Sequence, residues 1–252
     1  MLAVLSPAKK LNFDPLADGL VESEPAFQSD ANTLAKIARK LSVTDLQKLM
    51  KISEKLASLN KDRFAAFASA SDDRNSKQAA FAFAGDTYTG LQISNMEADD
   101  VTYAQDHLRI LSGLYGVLRP LDRMQPYRLE MGSRLQNKAG PNLYAYWADR
   151  IGVALDDAAN GVVVNCASHE YFKATGKNMA SRIITPAFKE ERDGELKMIG
   201  FFAKKARGMM ARFMVLNRIE DPEGLKDFAL EGYKFQPKLS DENDWVFTRK
   251  TA

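Results

Sequence analysis

The chain has 252 residues, 45% hydrophobic and 27% charged, with a formal net charge of +2 and a single cysteine, Cys166. That composition excludes a disordered chain, a disulfide scaffold and a multi-cysteine zinc or iron–sulfur cage. It neither demands nor excludes a polyanionic partner, and no apolar run approaches the roughly 20 residues that a bilayer span needs.

Met1 to Phe13 is interrupted too soon by Pro7, Lys9 and Lys10 to read as a signal peptide. The expectation is a soluble, cytoplasmic protein, one domain over residues 1–252, with no membrane partner. Leu2-Ala3-Val4-Leu5 predicts a short buried strand stopped by Ser6-Pro7. Asp30 to Asn60 predicts two helices, one striped by Ala31, Leu34, Ala38 and Leu41, the next by Leu46, Met50, Leu56 and Leu59. Ala79 to Ala84 is apolar and then turns at Gly85-Asp86. Asp99 to Leu111 reads as a helix, followed by the breakers Gly113, Gly116 and Pro120. Leu143 to Ala159 predicts another helix. Val162–Val164, Arg182–Ile184, Lys197–Phe202 and Trp245–Phe247 predict strands. Strands and helices interleave without a strict βαβ period. The fold class predicted is therefore mixed α/β (α+β), a mixed sheet flanked by helices rather than a doubly wound fold.

Charge is unevenly distributed. His169 to Arg218 holds eleven Lys/Arg against five Asp/Glu, whereas Ile219 onward holds five against eight. On a helical wheel, Lys204, Lys205, Arg207, Arg212 and Arg218 share an arc of roughly 160°, with Met209, Met210, Phe213 and Leu216 opposite. Val215 is the misfit. Gly208 lies within the basic arc, where a backbone or a ligand could approach closely. The array suits phosphate backbones; an ordinary solvated basic face is the competing reading.

Leu108 to Pro120 places a helix, a glycine turn and a second apolar segment in series, flanked by Arg109, Arg119 and Arg123. This resembles the helix–hairpin–helix of DNA-repair proteins, whose backbone N–H groups bind phosphate oxygens without reading sequence. Common versions separate the two glycines by one residue, whereas Leu114-Tyr115 separate them here. A plain helix C-cap competes with it.

Ser6-Pro7-Ala8-Lys9, Tyr88-Thr89-Gly90-Leu91, Leu111 to Asp122 and Met124 to Gly132 together resemble the YaaA peroxide-stress family. So do Asn165, Ala167, Ser168, Glu170, Tyr171 and Phe172, and Ala203 to Gly208. The resemblance runs in order from residue 1 to about 250. It implies a mixed α/β domain with a basic cleft and a helix–hairpin–helix, binding duplex and branched DNA with little sequence preference. It further implies a setting of hydrogen-peroxide stress, with limits on damage from unincorporated iron and a link to recombinational repair. Carried over residue by residue, the hairpin falls on Gly113, Tyr115 and Gly116, and the cleft cations include Lys9, Arg128, Lys204, Lys205 and Arg207. Cys166 and His169 depart from the family pattern, which argues against an essential role for either.

An enzyme acting on DNA or on a nucleotide-like anion is the alternative. Lys9, then Asn165, Ser168, Glu170 and Tyr171, then Lys204 and Arg207 each follow an expected strand, and such groups converge in many α/β sites. Lys9, Glu130, Glu170 and Tyr171 are the catalytic candidates; the bland reading pairs Glu130 and Glu170 with Arg128 and Lys173 in the cleft wall. His107 and His169, the only histidines, share no ligand spacing, and no Glu-x-x-His pair suits an iron site. No metal or cofactor is called for, and no CxxC pair supports thiol peroxidase chemistry.

Overall fold

Four consecutive apolar residues, Leu2–Leu5 (β1), are buried on both faces, as a central parallel strand demands. The computed structural model describes residues 1–16 and 21–250. After β1 come β2 (Lys10–Leu11), α1 (Gln28–Arg39), α2 (Val43–Met50), α3 (Glu54–Ala66), β3 (Lys77–Gln78), α4 (Ala79–Ala82) and β4 (Phe83–Ala84). Then follow α5 (Asp86–Leu91), α6 (Ala98–His107), β5 (Leu108–Ser112), β6 (Gly116–Leu118), β7 (Arg123–Met124), α7 (Leu143–Trp147) and α8 (Arg150–Ala159). The chain continues with β8 (Val162–Cys166), α9 (His169–Phe172), β9 (Arg182–Arg192), β10 (Glu195–Lys197), α10 (Gly200–Leu216), β11 (Lys234–Phe235) and β12 (Asp244–Lys250).

Among the described residues the main sheet has eight strands, in the order β11-β12-β9-β8-β1-β5-β6 with β10 paired to β9. Its centre is parallel: β1 pairs with β5 and β8, and β9 with β8 and β12. Hairpin partners β6, β10 and β11 are antiparallel. The sheet is thus mixed and flanked by helices, as the sequence predicts. One contiguous core runs from Met1 to Phe247 and holds the two tryptophans, Trp147 and Trp245.

Four segments differ from the sequence reading. The second predicted helix is two, because Lys51 turns left-handed (φ 51°) and Ser53 caps α3 by accepting from the Leu56 N–H. A continuous apolar stripe does not register such a break. Leu143 to Ala159 is likewise split, at Ala148 (φ 45°). Helix α6 ends at His107, and Leu108 to Ser112 is strand; short apolar runs fit either period. The strand expected over Lys197 to Phe202 stops at Lys197, and α10 starts at Gly200.

The helix–hairpin–helix placed on Gly113 to Gly116 is therefore corrected. Strands β5 and β6 flank that turn, with Ser112 paired to Gly116. Ser112 Oγ accepts from the N–H groups of Leu114 and Tyr115, so these donors point inward and cannot reach a phosphate. Tyr115 is wholly buried, its hydroxyl accepting from the Gln125 N–H. Both glycines are structural: a Cβ on Gly113 would meet the Leu129 carbonyl at 2.3 Å, and one on Gly116 (φ +67°) would meet the Trp147 ring.

Candidate functional site

Within the main sheet the chain leaves β1 toward β5 on one side and leaves β8 toward β9 on the other. Adjacent parallel strands whose connections diverge open a crevice at their carboxyl ends, where α/β proteins bind ligands. Ser6 to Lys9 follow β1, and Ala167 to Tyr171 follow β8. The two exits are tied together: the Ser168 N–H donates to Ser6 Oγ at 2.8 Å, and Tyr88 donates its hydroxyl proton to the Ser6 carbonyl. Asn165 shapes the second exit by accepting from the Ala167 N–H at 3.1 Å.

A cavity of about 440 Å³ occupies this crevice. Ser6 to Lys10 form one wall, Tyr127 to Glu130 another, and Cys166, Ser168, Glu170 and Tyr171 a third. Gly85 to Thr87 and, from α10, Lys204 and Arg207 close it. Five of the lining residues are Lys or Arg (9, 10, 128, 204, 207) and three are Asp or Glu (86, 130, 170), a net +2.

These charges are not evenly satisfied. Glu130 Oε1 lies 3.1 Å from both Lys9 Nζ and Arg128 Nη2, and so holds two of the cations. Glu170 Oε1 accepts from the Gly132 N–H at 2.9 Å. Both carboxylates thus build the wall, although Glu170 does so through a backbone amide rather than Lys173. The guanidinium of half-buried Arg207 makes no ion pair or hydrogen bond among the described residues, and Arg128 Nε is buried without a partner. Burial pushes the Arg207 pKa below its ordinary value, the sign of a charge lacking its counter-ion, with the Cys166 side chain pulling the other way. Lys204 is exposed and likewise has no ion pair among the described residues. Burial raises the Tyr171 phenol well above its usual range, with Tyr127, Glu170 and Glu130 adding to it and a backbone hydrogen bond from Met131 opposing, so it stays protonated. Cys166 is pushed up to about 12 by burial, which keeps it a thiol.

Lys9, Arg128, Glu130, Glu170, Tyr171, Lys204 and Arg207 therefore come together. Other residues singled out in the sequence do not line this cavity. Lys205 is paired with Glu231. Arg109, on β5, donates to the carbonyls of Gln105 and Leu108. Arg119 is held by Asp122 at 3.0 Å. Gly113, Tyr115 and Gly116 are buried in the β5–β6 turn.

The basic arc of α10 is not a solvated face. Arg212 donates to Gln92, and Arg218 pairs with Asp100 at 2.7 Å. Gly208, at the arc's centre, admits a backbone: a Cβ there would sit 1.8 Å from the Thr87 carbonyl oxygen of α5. Val215 is fully buried in the same arc. Helix α10 is thus packed on both sides, and its first turns alone reach the cavity.

Sequence reasoning misses Ser6, Tyr88, Tyr127, Asp86 and Lys10 as parts of the site. Ser6, Tyr88 and Tyr127 fall in the blocks that carry the family resemblance, with no role attached to them; Asp86, which opens α5, reads only as part of a turn. It also misses α2 and α3 as a helix–turn–helix, although Ser42 and Ser53 are N-cap residues at the right spacing. Among the described residues, no helix is long and apolar enough to cross a membrane.

Fold and site define a mixed α/β protein with a cation-rich pocket at the carboxyl ends of its central parallel strands. The sequence profile of the family described as peroxide stress protein YaaA matches residues 1–239, and the chain belongs to that family. A UPF0246 protein of Dinoroseobacter shibae is 54% identical over 254 residues, covering 99% of this chain and 95% of its own length. Those of Alteromonas mediterranea and Dechloromonas aromatica are 50% and 47% identical and cover 98% and 100% of their own lengths.

Proposed function

We propose that this member of the peroxide-stress family binds DNA, duplex and branched, through phosphate contacts and without strong sequence preference, and so limits oxidative and iron-mediated damage. The observation that carries the reading is Arg207: a half-buried guanidinium with no counter-ion among the described residues, at a cavity wall shared with the unpaired Lys204 and the orphaned Arg128 Nε. Such a set is completed by an oxyanion, and Arg suits phosphate because its planar fork binds two oxygens at once.

A second feature supports the same reading. Helices α2 and α3 are joined by a three-residue turn that contains Lys51 and is flanked by Lys48 and Lys55, all three exposed and without ion pairs among the described residues. The α3 amino end is open to solvent there. This pair, rather than the Gly113–Gly116 turn, is the place where a helix–hairpin–helix contact to a DNA backbone fits.

The test is a fluorescence-anisotropy titration of labelled duplex and four-way-junction DNA at two salt concentrations. Binding that weakens steeply with salt, on both DNA forms, supports the reading. No binding at low salt overturns it. The alternative, an enzyme acting on DNA or a nucleotide-like anion, rests on Glu130, Glu170 and Tyr171 facing the same cavity. A denaturing gel of the same samples, with and without magnesium or manganese, checks it: cleaved strands favour that alternative.

A further inference from the structure

We infer that the cavity takes a phosphomonoester, the phosphorylated terminus of a DNA strand, with the phosphate on Arg207 and Lys204. This rests on the DNA-binding reading and names the part of the DNA that enters.

Size comes first. A cavity of about 440 Å³ encloses a drug-sized molecule, since such sites run from ~300 to 1,000 Å³. One nucleotide unit fits, and a base-paired helix stays outside. An internal nucleotide would need the strand to enter and leave again, whereas a terminus needs one passage only.

Charge points the same way. The lining is net +2, from five cations and three carboxylates. Two of those cations, Lys9 and Arg128, already share Glu130, while Lys10, Lys204 and Arg207 have no ion pair among the described residues; of these three, Arg207 is the half-buried one. A backbone phosphodiester brings one negative charge. A phosphomonoester brings about −1.5 to −2 at pH 7, which matches the net charge of the lining.

The acidic residues fit a nucleotide rather than bare phosphate. Glu170 uses Oε1 on the Gly132 N–H, and its other oxygen makes no hydrogen bond among the described residues. It is free to accept from a sugar hydroxyl. The setting is chemically consistent: hydroxyl radicals formed from peroxide break strands at the sugar and leave phosphorylated termini.

The test uses the full chain and one duplex sequence in four forms: 5′-phosphorylated, 3′-phosphorylated, hydroxyl at every end, and covalently closed at both ends. Deoxythymidine monophosphate and inorganic phosphate serve as competitors. The expected result is that at least one phosphorylated form binds about tenfold or more tightly than the hydroxyl form, the size of a charge-assisted contact. Lys204→Gln and Arg207→Gln should each erase that preference, so that in the variant the phosphorylated forms bind no more tightly than its own hydroxyl form. Lys204 is exposed, so its variant carries the test if Arg207→Gln fails to fold. Equal affinity for all four forms overturns the inference and leaves the DNA-binding reading standing. If no DNA form binds but the mononucleotide does, in a Lys204-dependent way, the strand terminus falls as the source and the phosphomonoester chemistry stands.

Discussion

The backbone N–H of Ser168 donates to Oγ of Ser6 across 2.8 Å, joining the exits of two parallel strands 162 residues apart in the chain. This bond sets the floor of the cavity, because Lys9 follows one exit while Glu170 and Tyr171 follow the other. Ser6→Ala leaves the Ser168 N–H unpaired. It should lower stability by about 1 kcal/mol, the net worth of one hydrogen bond at a part-buried position. Chemical denaturation measures that loss, and DNA affinity should fall with it at a concentration where the variant remains folded.

Gly208 sets how closely α5 and α10 approach. Gly208→Ala would place a methyl 1.8 Å from the Thr87 carbonyl and 2.8 Å from the Leu91 N–H, and neither backbone can move freely. The expected loss is about 3 kcal/mol, at the upper end for an overpacked site. A thermal melt reads it; an unchanged melting temperature would mean that the two helices are not this close.

Cys166 should be inert to peroxide although it lines the cavity. Burial raises its pKa from 9.0 to about 12, so the native thiol reacts slowly with iodoacetamide or peroxide at neutral pH and at full rate once unfolded. The same shift has a signed consequence for stability. The folded pKa lies above the unfolded one, so the contribution is fully present below about pH 9 and is lost as pH rises toward 12. Cys166→Ala should therefore flatten part of the alkaline decline, leaving the part due to the buried tyrosines Tyr88 and Tyr171, whose pKa values are also raised by burial. Rapid native labelling would contradict the burial of this thiol.

The α2–α3 turn supplies a separate prediction. Replacing Lys48, Lys51 and Lys55 together with Ala removes three exposed cations and no ion pair among the described residues, so stability should change little. The slope of log affinity against log salt should become shallower by up to about three, one for each phosphate that a lysine no longer neutralises. An unchanged slope would remove this turn from the interface.

How much of this is legible in the sequence depends on what each residue touches. Strands β1 and β8 show themselves as short apolar runs, and the polar residues after them, Lys9 and Asn165 to Tyr171, mark the crevice. The basic arc of α10 misleads because a helical wheel counts charges without their partners. Lys205 is paired with Glu231, Arg212 with Gln92 and Arg218 with Asp100, all remote in sequence. Val215, the misfit on the wheel, is the one local sign that the arc is buried. The Gly113–Gly116 turn reads equally well as a helix end or a hairpin. Side chains decide it: Ser112 binds the turn's N–H groups, and the Trp147 indole N–H donates to the Gly113 carbonyl.

The most direct measurement of the central claim is NMR of the arginine side chains in protein labelled with ¹⁵N-arginine, titrated with duplex DNA phosphorylated at its ends and assigned with single Arg→Lys variants. The Nε–H signals of Arg207 and Arg128 should shift early and saturate together, because these groups lie in the cavity without full partners. Those of Arg119, held by Asp122, and Arg249, held by Glu190 at 2.8 Å, should stay in place. Shifts at Arg119 or Arg109 with Arg207 unmoved would contradict the account and put the DNA on another face.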